Sequence, residues 1–246
     1  MIRAFFSSVA VSSFLLTPVF AQQAADAVAP EAESRLSTFD TLSEAAQTAL
    51  ATKESGSPTT AENWMVAAAN PLAVEAGAVV LRDGGTAADA MVAVQAVLGL
   101  NEPQSSGLGG GAFLVWYDAN SGEVTTLDGR ETAPLAVTPT LFQTDDGVPM
   151  GFWDAVVGGR SVGTPGTPML MEEAHARWGR AEWGGLFEAR MSLAEDGFTV
   201  SERMASSIAD GAERLQTFTR TADYFFPGGE ALQAGDTLVN DDYANT

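Results

Sequence analysis

From residue 71 onward, apolar and small residues recur at helical spacing. Leu72, Ala76, Val79 and Val80 share one side of a helix predicted over 71–83. Pro71 suits its first turn, and Gly84-Gly85 stops it. Thr86 caps the next helix, with Asp89 at the acid position of a capping box. Ala88, Met91, Val92, Gln95 and the residues from Val97 onward are apolar or small on every face, which predicts a buried helix. The pattern then changes. AFLVWY (112–117) and EVTTLD (123–128) read as two strands joined by the turn ANSG. Two buried helices leading into a hairpin predict an α/β chain of the α+β type, with sheet between helical layers.

Further along, residues 135–160 read as surface loop with a turn at Asp145-Asp146-Gly147, and SVGTPGTP (161–168) as a Gly/Pro corner. Helices are expected over 168–178, ending at Gly179, over 183–195, ending at Gly197, and over 201–216. Pro227-Gly228-Gly229 marks a turn, and one more helix starts just before Thr246. Upstream, residues 22–60 are rich in Ala, Ser, Thr and Glu. They read as leader and linker, with an amphipathic helix near 40–52. At the very start, Arg3 precedes an apolar run over 4–16, then Pro18 and Val19-Phe20-Ala21. That run is too short to span a bilayer and reads as a secretory signal cleaved after Ala21, so the mature protein is expected in the periplasm or outside the cell. No later segment is long and apolar enough to be a membrane span. The expected organisation is a signal peptide over 1–21, a leader over 22–60 and a folded region over 61–246.

Composition narrows the chemistry. The chain has 246 residues, 46% of them hydrophobic, enough for a real core. Its 32 acidic and 12 basic residues give a formal charge of −20, which disfavours nucleic acid and anionic membrane surfaces as partners. There is no Cys, a single His (His175) and a single Lys (Lys53, in the leader). Thiol nucleophiles, thiolate metal sites, Schiff-base lysines and phosphate loops built around a lysine therefore lack their central residue in the folded region. No cofactor and no metal site are expected. The Asp145-Asp146 and Asp241-Asp242 pairs lack calcium-loop spacing, and a lone His175 on a helix reads as structural.

Residues 101–134 carry the best candidate chemistry. Gly107, Gly109, Gly110 and Gly111 leave a nearly bare backbone just before the hairpin, which closes on Gly129-Arg130. A guanidinium delivered by a hairpin suits carboxylate recognition, since its planar fork matches the two oxygens; the plain alternative is a surface arginine. The glycines could cradle an anion through their N–H groups, but without a lysine the expected role is close packing of backbones. Ser105 and Ser106 have no neighbouring base and no GxSxG context, so they are expected to bond the turn backbone rather than act as nucleophiles.

EPQSSGLGGGAF (102–113) followed by LDGRETAP (127–134) resembles the signature of the γ-glutamyltransferase family, the γ-glutamyltranspeptidases or glutathione hydrolases. Residues 70–100, GGRSVGTPGTP (158–168), AHARWGR (174–180), LAEDGFTVSERMA (193–205) and GDTLVNDDYANT (235–246) resemble further landmarks of that family in the same order. The resemblance covers roughly residues 61–246, and several separated motifs agreeing in order make it specific. It implies an N-terminal-nucleophile hydrolase with a four-layer α/β/β/α sandwich, incomplete in this chain. It implies a proenzyme that cuts itself in two and a threonine at the start of the small subunit that attacks the γ-glutamyl amide. Nothing in residues 1–246 resembles the threonine-rich cleavage motif, and Thr246 has no newly freed amine. The chain is accordingly expected to be the N-terminal part of a large subunit, partnered by its own small subunit after autocleavage. Arg130 is implied to bind the α-carboxylate of the γ-glutamyl donor, such as glutathione, with Asp128 and Glu131, and in lesser degree Ser105, Ser106, Gly109 and Gly110, as support. Two rivals remain: a β-lactam side-chain acylase of the same superfamily, and a non-catalytic secreted carboxylate-binding protein.

Overall fold

Helix caps written in the sequence set the first elements of the computed structural model, which describes residues 42–246. The expected signal peptide, its cleavage site and residues 22–41 of the leader lie outside the described residues. Ser43 caps α1 (Glu44–Glu54), a helix with no buried residue. The Ser43 backbone N–H and hydroxyl also donate to Glu75 Oε2 at 3.2 and 2.7 Å, which ties α1 to α2 (Pro71–Arg82). Asn70 caps α2 and Pro71 occupies its first position. Gly84, at φ +92°, then reverses the chain in a conformation open to glycine at little cost. The capping box forms as expected: Asp89 N donates to Thr86 Oγ1 and Thr86 N to Asp89 Oδ2, opening α3 (Ala87–Asn101).

α3 is the spine of the fold. Its apolar residues face three separate clusters, which is why the sequence shows no polar side. Ala93 and Val97 pack with Ala73 and Ala76 of α2. Val92 meets Met171 and Leu186. Leu100 enters the largest cluster, with Ala194, Phe198, Val200, Met204, Ile208, Phe226 and Leu238.

The hairpin pairs β1 (Ala112–Asp118) with β2 (Glu123–Gly129), Ala112 opposite Gly129 and Leu114 opposite Leu127. Side chains alternate between its faces. Leu114, Trp116, Thr125 and Leu127 are half-buried, and Trp116 stacks on Trp178 of α5 (Thr167–Trp178) with ring centres 4.6 Å apart. Phe113, Val115, Tyr117 and Val124 point the other way and are all more than 60% exposed. Among the described residues no second helical layer covers that face.

Three expected elements differ. The 135–160 loop contains α4 (Phe152–Val156), started by the Ala155 N–H to Gly151 O bond at 3.0 Å, and a 3₁₀ turn over Gly159–Ser161. The helix expected from 183 begins as a 3₁₀ turn, Gly184–Phe187, because two adjacent glycines are poor helix formers; α6 (Glu188–Asp196) follows and ends at Gly197. The helix expected over 201–216 breaks at Gly211 into α7 (Glu202–Asp210) and α8 (Ala212–Leu215). Beyond it, α9 (Thr219–Phe225) leads to a second small sheet in which β3 (Phe198–Thr199) pairs with β4 (Thr237–Leu238). The last helix, α10 (Asp241–Asn245), is held by Arg190, which donates to Tyr243 O at 2.9 Å and to Ala244 O at 3.4 Å. Tyr243 in turn donates to Ala96 O of α3 at 2.8 Å, and burial pushes its pKa up to about 12.

Candidate functional site: an arginine held at the end of the hairpin

Three chain segments meet where the hairpin ends. The Gly-rich loop enters β1, β2 leaves through Gly129-Arg130-Glu131, and the corner at 163–167 leads into α5. The register places Gly111 beside Glu131, with no room between them. A Cβ on Gly111 would sit 2.6 Å from Glu131 Oε2 and 2.7 Å from both Glu131 N and Gly129 O. Glycine is required there by backbone approach. The corner closes the arrangement. Gly166 N and Thr167 N both donate to Gly110 O, at 3.0 and 3.1 Å, and Thr164 N donates to Thr132 O at 2.8 Å. Gly109, by contrast, faces open space.

Arg130 stands on this platform. Its backbone N–H donates to Asp128 Oδ1 at 3.0 Å, so Asp128 fixes the turn of the main chain rather than the guanidinium. The guanidinium is met by Glu131, whose Oε2 lies 3.1 Å from Nε. This is an ion pair without a directed hydrogen bond, since Oε2 accepts none from any described residue. The Arg130 side chain is 63% exposed, so the pair is worth about 0–1 kcal/mol and matters for orientation more than for stability. The Glu131 stem is wedged against Gly163, where an added Cβ would lie 2.8 Å from Glu131 Cβ. Neither Nη1 nor Nη2 of Arg130 donates a hydrogen bond to a described residue. The arrangement is a largely exposed guanidinium paired through Nε, with Nη1 and Nη2 taken by no described residue.

The serines behave differently from the expectation that their hydroxyls bond the turn backbone. It is their backbone N–H groups that close the turn, both donating to Glu102 O at 3.0 Å. The hydroxyls are taken by side chains: Arg203 Nη2 donates to Ser105 Oγ at 3.0 Å, and Gln95 Nε2 to Ser106 Oγ at 2.6 Å. A hydroxyl so engaged, with no imidazole or amine beside it, is not arranged as a nucleophile.

Sequence reasoning missed Glu102 and Arg203. Glu102 is 1% exposed, yet it carries a carboxylate. Arg203 Nη1 pairs with its Oε2 at 3.0 Å, and Gln104 Nε2 donates to the same oxygen at 2.6 Å. The available signal was an acid just after a largely apolar, buried helix, a place where a charge needs a partner. It also missed the second role of Asp89. Beyond its cap, this buried carboxylate accepts the N–H groups of Arg180 at 3.0 Å and Ala181 at 3.2 Å. Burial pushes its pKa up, but the hydrogen bonds from Thr86, Ala181 and Arg180 outweigh burial and hold it below the ordinary value. His175 lies against this anchor. Its Nε2 is 3.0 Å from Ala181 O and 3.5 Å from Asp89 Oδ1, and its ring meets the edge of Trp183. Among the described residues no three His, Cys, Asp or Glu side chains converge as metal ligands, and no helix is long and apolar enough to cross a membrane.

The profile of the family described as Gamma-glutamyltranspeptidase matches residues 73–246. The chain belongs to this family. Over 185 residues it is 43% identical to the glutathione hydrolase proenzyme of Bacillus subtilis strain 168, covering 75% of this chain and 31% of that protein. The γ-glutamyltranspeptidase of Helicobacter pylori matches in structure with a TM-score of 0.72 and 33% identity, covering 76% of this chain and 54% of that one. A cephalosporin acylase from Bacillus halodurans matches with a TM-score of 0.59 and 27% identity, covering 76% and 37%. The chain thus spans about a third of the length of the curated relatives it matches. Its α+β fold is that of the γ-glutamyltranspeptidases among the N-terminal-nucleophile hydrolases, of which the described residues hold the hairpin and the helices packed on one side of it.

Proposed function

We propose that this chain supplies the donor-binding part of an enzyme that transfers γ-glutamyl groups from glutathione and related γ-glutamyl amides to water, amino acids or peptides. The observation that carries the reading is Arg130. Glu131 steadies Nε, and the outer edge of the fork is unclaimed by any described residue, which suits two parallel hydrogen bonds to the α-carboxylate of a glutamyl donor. In a chain of net charge −20, an exposed positive group at the junction of three segments, paired on one edge only, suits an anionic ligand.

In this reading the carboxylate is fixed by Arg130 and the γ-amide extends to the nucleophile, the threonine of the small subunit. Its hydroxyl oxygen attacks the γ-carbonyl carbon as its own α-amine takes the proton. The tetrahedral intermediate collapses to a γ-glutamyl ester, and the amine leaves with a proton. Water or an amino group then attacks the ester. The word "proenzyme" in the Bacillus subtilis relative's name supports processing into two subunits. Export to the periplasm or outside the cell is part of the same proposal, supported by the Arg3-led apolar start; N-terminal sequencing of exported protein should begin after Ala21.

The test uses the full-length protein and two donors, one lacking the α-carboxylate. A charged hydrogen-bonded contact is worth roughly 1.5–3 kcal/mol, about 10- to 150-fold in affinity or rate. Arg130→Ala should lower kcat/KM for the γ-glutamyl donor by at least that factor and leave autocleavage intact. Arg130→Lys should recover part of the loss, because an ammonium makes no planar two-bond contact. The donor without the carboxylate should be poor with the wild type and indifferent to the mutation. Equal losses on both donors would make Arg130 structural. The likeness to the cephalosporin acylase favours a second reading, a β-lactam side-chain acylase. A strong preference for donors without an amino-acid head would establish it.

A further inference from the structure

We infer that Arg203 is a positioning residue for the donor site, setting the Gly-rich loop from α7 through Glu102 and Ser105. The inference rests on the reading of Arg130 as the donor anchor. Arg203 stands 98 residues beyond Ser105 and 101 beyond Glu102 in sequence, so only the fold brings them together. Its guanidinium forks. Nη1 reaches Glu102 Oε2 and Nη2 reaches Ser105 Oγ, both at 3.0 Å. It therefore grips the turn at its first residue and again three residues later.

That turn is built on Glu102 throughout. The Glu102 carbonyl accepts the N–H groups of Ser105 and Ser106, and its carboxylate accepts Gln104 Nε2 and, at a longer 3.5 Å, Asn70 Nδ2. The next residue along the chain is Gly107, whose carbonyl accepts Gly110 N at 3.3 Å. Gly110 and Gly111 are pinned from the far side by the 166–167 amides and by Glu131. The loop is thus a short bare backbone clamped at both ends. The far clamp touches the partner of Arg130 directly, and the near clamp is Arg203. Because the Glu102 carboxylate is 1% exposed while the Arg203 side chain is 24% exposed, the acid is fixed by the core and the arginine is the adjustable half. Releasing the near end leaves so short a segment held at Gly110 and Gly111 alone, which loosens the backbone that packs on Glu131, the partner of the Arg130 guanidinium. A shift of about 1 Å at a binding group is enough to cost up to roughly 100-fold in rate.

Two measurements test this. Hydrogen exchange on the full-length enzyme should show the hydrogen-bonded amides of this loop, those of Ser105, Ser106 and Gly110, exchanging on the order of tenfold faster in Arg203→Ala and in the milder Ser105→Ala, with α5 unchanged, since loss of a local clamp opens the loop without global unfolding. In the full-length enzyme, Arg203→Ala should raise KM for the γ-glutamyl donor roughly tenfold and lower kcat less. Arg203→Lys, which keeps the charge beside Glu102 without the fork, should fall between. A variant that merely folds less well would lower apparent kcat and leave KM alone, and that result overturns the inference. So does unchanged exchange at Ser105, Ser106 and Gly110. If instead Arg130→Ala leaves KM unmoved, the donor reading fails by itself, and the exchange measurement still decides whether Arg203 holds the loop.

Discussion

Asp89 should be among the most costly side chains in this chain to remove, although it touches neither the glycine loop nor Arg130. The carboxylate is fully buried and receives four donors: Thr86 N at 2.7 Å, Thr86 Oγ1 at 3.0 Å, Arg180 N at 3.0 Å and Ala181 N at 3.2 Å. The first two start α3. The last two bind the 179–181 link, 91 residues away, onto the helix that forms the spine of the core. Losing an N-cap interaction costs about 1 kcal/mol. Hydrogen bonds to a buried charge are worth roughly 1.5–3 kcal/mol each but share one acceptor and do not add in full. Asp89→Ala should therefore cost about 3–5 kcal/mol, a large share of the 5–15 kcal/mol that holds a domain together. With a urea m-value of about 2–3 kcal/mol/M, the unfolding midpoint should fall by roughly 1–2 M. Asp89→Asn keeps an oxygen for the Oδ2 donors but turns an NH₂ group toward Arg180 N, and should lose about 1–2 kcal/mol. The pH dependence has a definite sign. The folded carboxyl titrates below its ordinary value of 3.8, so its stabilisation is complete above that value and is lost as pH falls through the lower folded pKa. The gap between wild type and Asp89→Asn should be flat from pH 7 to about 4 and narrow below it. Equilibrium urea unfolding followed by tryptophan fluorescence across that range measures both quantities. A loss below about 1 kcal/mol for Asp89→Ala, or a gap that widens in acid, would mean that Asp89 does not anchor the 180–181 link as an ionised carboxylate.

The two glycines of the loop should separate cleanly. Gly111→Ala drives a methyl into Glu131 and Gly129 and should cost about 1–3 kcal/mol by overpacking, while Gly109→Ala, in open space, should stay within about 0.5 kcal/mol in the same urea assay. If both are tolerated, the loop does not meet the 129–131 segment as closely as the contact distances require. The exposed hairpin face should make the isolated chain bind anilinonaphthalene sulfonate and self-associate, since Phe113, Val115, Tyr117 and Val124 form a contiguous apolar patch. Replacing Phe113 and Val115 by Thr should reduce dye fluorescence and shift sedimentation toward monomer. A wild-type chain that is dye-silent and monodisperse would contradict this.

Local grammar explains what was legible in the sequence. Asn70-Pro71, Thr86 with Asp89, and the ANSG turn all act within a few residues, so α2, α3 and the hairpin could be placed from composition and spacing. Arg130 stood out because its neighbours form a recognisable order of motifs. The helix expected over 201–216 failed at Gly211 and the one expected from 183 began as a 3₁₀ turn, because in each case a glycine's low helix propensity outweighed the flanking pattern.

Residue type and near neighbours were enough for the starts of α2 and α3, the hairpin, the absence of any thiol and the candidate arginine. Tertiary structure alone decided that Glu102 pairs with Arg203, that Asp89 holds the 180–181 amides, that the serine hydroxyls are taken by Arg203 and Gln95, and that Glu131 braces Arg130 against Gly111. Apart from Gln95–Ser106 and Arg130–Glu131, these contacts join residues that the chain separates by about 20 to 100 positions. The physical reason is burial. A carboxylate forced into the core by an apolar helix must find donors, and which donors it finds depends on the packing that brings distant segments to it rather than on anything written beside it.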